Sequence, residues 1–116
     1  MIKQKLEILV STDVISKETQ DYSLEVLEYL LNKEIIKESA EAEVFLTHLA
    51  MADARRVKNE AVASLDEFII SDIMMNPKYE KAKVIWSELE KINGNEFEES
   101  ELDYFYLHII NILKED

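Results

Sequence analysis

Ala42-Glu-Val-Phe-Leu-Thr-His-Leu-Ala-Met-Ala-Asp-Ala-Arg-Arg56 is the segment of this 116-residue chain from which its architecture can be worked out. It contains one of the two histidines, and its apolar and basic side chains recur along one helical face. That face comprises Val44, Phe45, His48, Met51, Ala52 and Arg55. The pattern predicts a helix from about residue 39 to about residue 58, with His48 and Arg55 on the same side as large apolar groups.

The second histidine lies in a similar segment near the end of the chain, Glu101-Leu-Asp-Tyr-Phe-Tyr-Leu-His-Ile-Ile-Asn-Ile-Leu113. This segment predicts a last helix from about residue 98 or 99 to 113, and the acidic residues in its first turn suit the helix dipole. One face is again continuous and comprises Glu101, Tyr104, Phe105, His108 and Ile112. Glu101 precedes His108 by seven residues, just as Arg55 follows His48 by seven.

The rest of the chain also predicts helices with short connections. A single Gly and a single Pro argue against a β-sandwich or barrel, which needs many turn glycines. Ser16 is a candidate N-cap, Ser64 or Asp66 another, and Gly94 a C-terminal stop. The predicted helices cover about residues 2–10, 16–32, 64–75 and 77–93. We therefore expect an all-α, compact bundle of about five to six helices, forming one domain over residues 1–116 with no separate output domain.

Composition excludes several classes of function. The net charge is −12, and the longest basic run is Arg55-Arg56, so direct binding to nucleic acid is not expected. There is no cysteine, and hence no disulfide or thiolate chemistry. No apolar run is long enough to span a bilayer and the N-terminus does not resemble a signal peptide, which predicts a cytoplasmic protein without membrane contact. The acidity favours a basic partner or serves only solubility.

Enzyme and metal chemistry find no support in the motifs. Di-metal helical bundles place Glu three residues before a ligating His, and here those positions are Phe45 and Phe105. No nucleophile elbow and no phosphate-binding glycine loop occurs. The remaining carboxylates, Asp53 and Glu43 among them, are predicted on solvated helix faces. We therefore expect no enzyme activity, no cofactor and no metal.

Large apolar side chains at helical spacing predict core positions or a dimer interface. Trp86, Phe68 and Phe105 are the main examples. Met74-Met75 is expected to fill a gap at a helix end. A histidine on an apolar helix face is, by itself, most often a hydrogen-bonded core residue, and that interpretation stays open for both histidines.

Four segments resemble the PTS regulation domain (PRD) over most of the chain. They are Leu6-Glu-Ile-Leu-Val10, the His48 helix with Arg55, Tyr79-Glu-Lys-Ala-Lys-Val-Ile85, and the residues from Glu101 to Asn111. The resemblance implies a helical bundle that forms homodimers and is phosphorylated on His48 and His108. The donor would be HPr or an enzyme II component of the bacterial sugar phosphotransferase system.

The resemblance also implies roles for the two charged residues of these motifs. Arg55 either offsets phosphoryl charge or pairs with Glu101 across the bundle. In a regulatory domain we expect the histidines near each other, in a cleft or at the dimer interface, with at least one ring edge reachable by a partner. Such a domain would control carbohydrate-related gene expression or metabolism through a partner regulator or enzyme. The alternative is a structural or adaptor dimer whose histidines are not phosphorylated.

Overall fold

Six α-helices carry most of the described residues, 2–60, 62–94 and 96–113, of the computed structural model. The helices are α1 Ile2–Ser11, α2 Lys17–Asn32, α3 Glu43–Lys58, α4 Glu67–Met75, α5 Tyr79–Asn93 and α6 Glu99–Ile112. No strand occurs within the described ranges, which confirms the predicted all-α class. The domain predicted over residues 1–116 also includes Met1, Ala61, Asn95 and residues 114–116, which lie outside the described residues.

Side-chain caps fix the N-termini of α2 and α4. Ser16 Oγ accepts a hydrogen bond from the Thr19 backbone N–H at 3.1 Å, as predicted. For α4 the cap is Asp66, whose Oδ1 accepts from the Phe68 N–H at 2.8 Å. Of the two predicted caps Asp66 is therefore the correct one, and α4 begins later than the predicted residue 64.

Left-handed residues end α3 and α5. Gly94 has φ 68°, which confirms it as the stop of α5, and Asn59 with φ 62° ends α3. The predicted start of the third helix at Ser39 is instead a 3₁₀ turn, Ser39–Ala42, that leads into α3. Glu41 Oε2 accepts from the Glu38 N–H at 2.7 Å, which caps the start of that turn.

Four helices enclose the core: α2 packs on α3, α3 on α6, α6 on α5, and α5 back on α2. Helix α1 packs against α2 and α3, while α4 packs against α5 and α6. The longest of the described helices has 16 residues, fewer than the ~20 that a bilayer requires, and none of them is suited to cross a membrane. The arrangement brings the two histidine-bearing helices, α3 and α6, into direct contact.

An aromatic cluster fills the centre of this ring of helices. Phe105 of α6 lies between Phe45, Trp86 and Phe97, with ring centroids 6.2, 4.6 and 5.1 Å away. Such edge-to-face and tilted contacts are the preferred geometries of aromatic pairs. Phe105 and Trp86 are buried, so of the two predicted placements, core and dimer interface, both residues take the core. The cluster joins α3, α5 and α6, and its members Phe45 and Phe105 stand three residues before His48 and His108 on their helices.

Helix α4 departs from the predicted burial. Only Ile73 of its nine residues is buried, while Phe68 is 83% exposed. Met74 and Met75 are exposed too, so their predicted role as gap fillers is wrong. The reason is topological: α4 lies outside the ring of four helices and contacts α5 and α6 from one side. The apolar periodicity of α4 is that of a packed helix, but α5 and α6 bury only a small part of its surface.

Candidate functional site

His48 and His108 face each other across the contact between α3 and α6. Nδ1 of His48 lies 3.1 Å from Nε2 of His108, and the ring centroids are 4.5 Å apart with planes inclined at 71°. This is an N–H···N hydrogen bond in which either ring can donate, according to where its proton resides. His48 is exposed and His108 is half-buried. The predicted proximity of the histidines, with at least one reachable from solvent, is confirmed.

A second pair joins the same two helices. Arg55 donates from Nε and Nη2 to the two carboxylate oxygens of Glu101, at 3.0 Å each. Arg55 is seven residues after His48 on α3, and Glu101 is seven residues before His108 on α6. The histidine pair and the ion pair therefore link the same two antiparallel helices at two levels. Seven residues separate these levels, which is about 10 Å at the rise of an α-helix.

The ion pair is held where both helix dipoles favour it. Arg55 stands in the last turn of α3 and Glu101 in the first turn of α6. The Glu101 side chain is only 7% exposed, and the bidentate geometry satisfies both of its oxygens. Of the two roles predicted for Arg55, the pairing with Glu101 is therefore the one seen in the structure.

The surroundings favour a neutral His108. Burial lowers the pKa of His108 to about 4, and the positive charge that a protonated His48 would carry contributes in the same direction. At neutral pH His108 is therefore uncharged and has one nitrogen lone pair. A neutral imidazole with a free lone pair is the form in which histidine acts as a nucleophile or accepts a proton.

Tyr104 completes the surface around the pair. Its ring lies 6.0 Å from the His48 ring, and its hydroxyl donates to the Ala63 carbonyl at 3.0 Å. That bond fastens the segment before α4 beside the histidines. Tyr104 was predicted only as one of the face residues of α6, because its partner Ala63 is 41 residues away in the chain.

Asp53 was predicted to be solvated, and that prediction is wrong. The residue is 2% exposed and accepts from Thr19 Oγ1 at 2.7 Å and from Arg56 Nε at 2.8 Å. The signal that could have placed it is its spacing, since Asp53 follows the buried Leu46 by seven residues and Leu49 by four. It therefore belongs to a second buried stripe of α3, turned toward α2.

The histidine pair has few further ligands to offer a metal ion. Among the residues that the structure describes, no group of three or more His, Cys, Asp or Glu side chains is arranged to hold one. Within the pair, Nδ1 of His48 and Nε2 of His108 are already directed at each other. What the site offers chemically is a pair of coupled imidazoles, one of them open to a partner.

Fold and site together define an all-α domain in which two antiparallel helices present a facing histidine pair. The family model described as the PRD domain matches residues 21–112, and the chain therefore belongs to the PRD family. That range contains His48, Arg55, Glu101 and His108. PRD domains are regulatory domains of the phosphotransferase system, are typically phosphorylated, and interact with its components. Comparisons with curated proteins and with solved structures returned no match.

Proposed function

We propose that this domain is a regulatory module whose histidine pair accepts a phosphoryl group from HPr or from an enzyme II component. The pair responds to sugar uptake, because the phosphorylation of those donors depends on transport. The domain then controls carbohydrate-related gene expression or metabolism through a partner regulator or enzyme, in the bacterial cytoplasm where the donors act.

The observation that supports this proposal most strongly is the exposed edge of the facing histidines. A phosphoryl donor presents its own phosphohistidine, so the acceptor ring must be reachable for in-line transfer. His48 is exposed, while its ring orientation is held by His108 at 3.1 Å. A histidine that serves only the core has no reason to lie open to solvent.

Phosphorylation has a direct structural consequence at this position. A dianionic group placed on one ring adds negative charge at the contact between α3 and α6, where His108 is neutral. The same two helices make two further polar contacts: the hydrogen bond from Tyr104 to the segment before α4, and the ion pair between Arg55 and Glu101. Displacement of either contact would transmit the effect of the added charge to the outer surface of the domain.

Homodimer formation is part of the proposal, with a second copy of the chain on the outer face of α4. Phe68, Met74 and Met75 are exposed there beside Ile69, which makes α4 the most apolar described surface helix. Exposed apolar patches of this kind mark interaction sites. An apolar face also suits self-association of a chain with net charge −12, because most other surfaces of two copies repel each other.

The alternative is a structural or adaptor dimer without phosphorylation. One observation favours it: the two rings satisfy each other's hydrogen bond, as a structural pair would. The exposure of His48 weighs against a purely structural role, since an exposed ring can be satisfied by water.

Phosphotransfer to the purified protein tests the proposal. Untagged protein is incubated with phosphoenolpyruvate, enzyme I and HPr, and in parallel with candidate enzyme II donors, and its intact mass is read at alkaline pH. Because the chain has only two histidines, the double variant His48→Ala/His108→Ala is a histidine-free control. We expect one or more phosphoryl mass increments in the wild type and none in the double variant.

The outcome decides between the two functions. An increment that requires HPr or an enzyme II donor and disappears with the histidines supports the regulatory module. No increment with any donor, from protein whose circular dichroism and unfolding are normal, would leave the structural dimer as the better account.

A further inference from the structure

We propose that Nε2 of His48 is the atom that takes the phosphoryl group, and that His108 is a positioning residue that orients His48 and receives its proton. This inference rests on the proposed function and makes it specific. It follows from the way in which the two rings use their four nitrogen atoms.

One nitrogen of each ring takes part in the hydrogen bond between the rings. Nδ1 of His48 and Nε2 of His108 are 3.1 Å apart, a separation that accommodates a proton but not a phosphorus atom with its three oxygens. A phosphoryl group on either inner nitrogen would therefore require the rings to separate. The nitrogens that remain are His48 Nε2 and His108 Nδ1.

Exposure distinguishes these two nitrogens. His48 is exposed, whereas His108 is half-buried. In-line transfer from a protein donor needs the acceptor lone pair to point away from its own domain. The inner nitrogen of His48 points at His108, so the outer nitrogen of this exposed ring is the one available to a donor.

The hydrogen bond also sets the tautomer that the reaction needs. Nε2 of His48 is nucleophilic only if the ring proton is on Nδ1, from which it is donated to Nε2 of His108. His108 accepts in that arrangement and carries its own proton on Nδ1. The lowered pKa of His108, caused first by burial, keeps it neutral and able to accept.

The transfer step balances in atoms and charge. The donor's N–P bond breaks, and its electron pair stays on the donor nitrogen, which takes up a proton from solvent. A new P–N bond forms at His48 Nε2, and the proton on His48 Nδ1 moves to His108 Nε2. The resulting imidazolium on His108 then faces a ring that bears a dianion, which stabilises the charged form of His108.

Phosphoramidate, a small donor that needs no protein contact, tests the assignment independently of the sugar system. We expect a single increment on the wild type, identified by ¹⁵N and ³¹P NMR as Nε2-phosphohistidine at position 48, and none on His48→Gln. An Nδ1-phosphohistidine, or labelling of His48→Gln at the wild-type rate, would overturn the assignment.

The role of His108 is tested by rate and by tautomer. His108→Ala should still be labelled at His48, but more slowly by on the order of a hundredfold, as for the loss of a proton acceptor. His108→Gln, whose amide oxygen can accept from Nδ1, should recover part of that rate. The ¹⁵N shifts of His48 should show the Nδ1–H tautomer in the wild type and its loss in His108→Ala. An unchanged rate and tautomer in His108→Ala would overturn the positioning role.

The two donors separate this inference from the proposed function. Labelling of His48 Nε2 by phosphoramidate without transfer from HPr or any enzyme II component supports the atom assignment and contradicts the regulatory function. Transfer from a phosphotransferase donor onto His108 does the reverse. Circular dichroism and urea unfolding of each variant show that it is folded.

Discussion

Arg55 and Glu101 form a two-point ion pair that bridges α3 and α6 seven residues along each helix from the histidines. Both hydrogen bonds are 3.0 Å, and the Glu101 side chain is almost fully buried. Removal of the arginine leaves a carboxylate that water reaches poorly. Substitution of Arg55 therefore tests how much this ion pair stabilises the contact between α3 and α6.

Arg55→Ala should lower the free energy of unfolding by about 2 to 3 kcal/mol, because it leaves Glu101 buried without its charge partner. Arg55→Lys, which keeps the charge but not the two-point geometry, should cost less. Urea unfolding measures both. The matched control is Lys91→Ala, which breaks the exposed pair with Glu88 and should change stability by less than about 1 kcal/mol. Equal effects of Arg55→Ala and Lys91→Ala would contradict this account.

Arg56→Ala should destabilise the chain by about 3 kcal/mol, because buried Asp53 loses the guanidinium 2.8 Å from its Oδ1. In an Asp53→Asn background the same substitution should cost less than about 1 kcal/mol, since a neutral amide needs no counter-charge. A double-mutant cycle by urea unfolding yields the coupling. Additive effects would mean that Asp53 and Arg56 do not stabilise each other.

The stability of the protein should fall between about pH 6.5 and about pH 4 through His108. Burial lowers the pKa of His108 from 6.5 to about 4, so in this window the unfolded chain binds a proton that the folded chain does not. The unfolding free energy contributed by His108 is present above pH 6.5, decreases as the pH falls, and is gone below about 4. The loss in His108→Gln should be smaller than in wild type, as urea unfolding at several pH values can show.

An NMR titration checks the same pKa directly. The His108 ring should titrate near pH 4, and His48→Ala should raise its pKa because the repulsion from a protonated His48 disappears. A pKa of His108 close to 6.5 in the wild type would contradict the burial described here.

Tyr22→Phe should leave the protein as stable as wild type or raise its free energy of unfolding by up to about 1 kcal/mol. The Tyr22 hydroxyl is buried without a hydrogen-bond partner among the described residues, so its removal eliminates a desolvation cost. Burial raises the pKa of Tyr22, with Asp53 next in effect, which agrees with a neutral and poorly solvated hydroxyl. Urea unfolding provides the measurement, and a loss above 1 kcal/mol would point to a bound water on this hydroxyl.

Phe68→Ser should convert the proposed homodimer to monomer, because Phe68 is 83% exposed on the outer face of α4. Val84→Ser is the control, since Val84 is an exposed apolar residue on α5 and lies outside α4. Light scattering at several protein concentrations gives the mass. Added salt should strengthen the wild-type dimer by screening the repulsion between two acidic copies. A wild-type monomer at all concentrations would exclude this interface.

The sequence predicted helix ends well where they depend on the backbone conformation or hydrogen bonding of a few neighbouring residues. Ser16 caps α2 by bonding a backbone N–H only three residues away, and Gly94 ends α5 by its own left-handed φ. Burial was harder to predict. The apolar spacing of α4 could not reveal that most of its residues stay exposed, nor could a charged residue type reveal that Asp53 meets Thr19, 34 residues away.

The histidine pair shows the same division. The helical placement of His48 and His108 followed from periodicity, and their nearness was expected from the family resemblance. Periodicity alone does not say that α3 packs on α6, because that contact is a choice among several helix pairings. The single hydrogen bond between Nδ1 and Nε2 depends on the register of that packing and was therefore accessible only from the structure.

Ile73 is the one buried residue of helix α4, and the segment before this helix is held by the hydrogen bond from Tyr104 to Ala63. The amide protons of α4 should therefore exchange with deuterium through local opening, at a much smaller free energy than those of the four enclosing helices. The histidines thus lie where the rigid and the loosely held parts of the molecule meet. A phosphoryl charge added at the histidines would therefore act next to α4 and the segment before it, which we expect to open more easily than the enclosing helices.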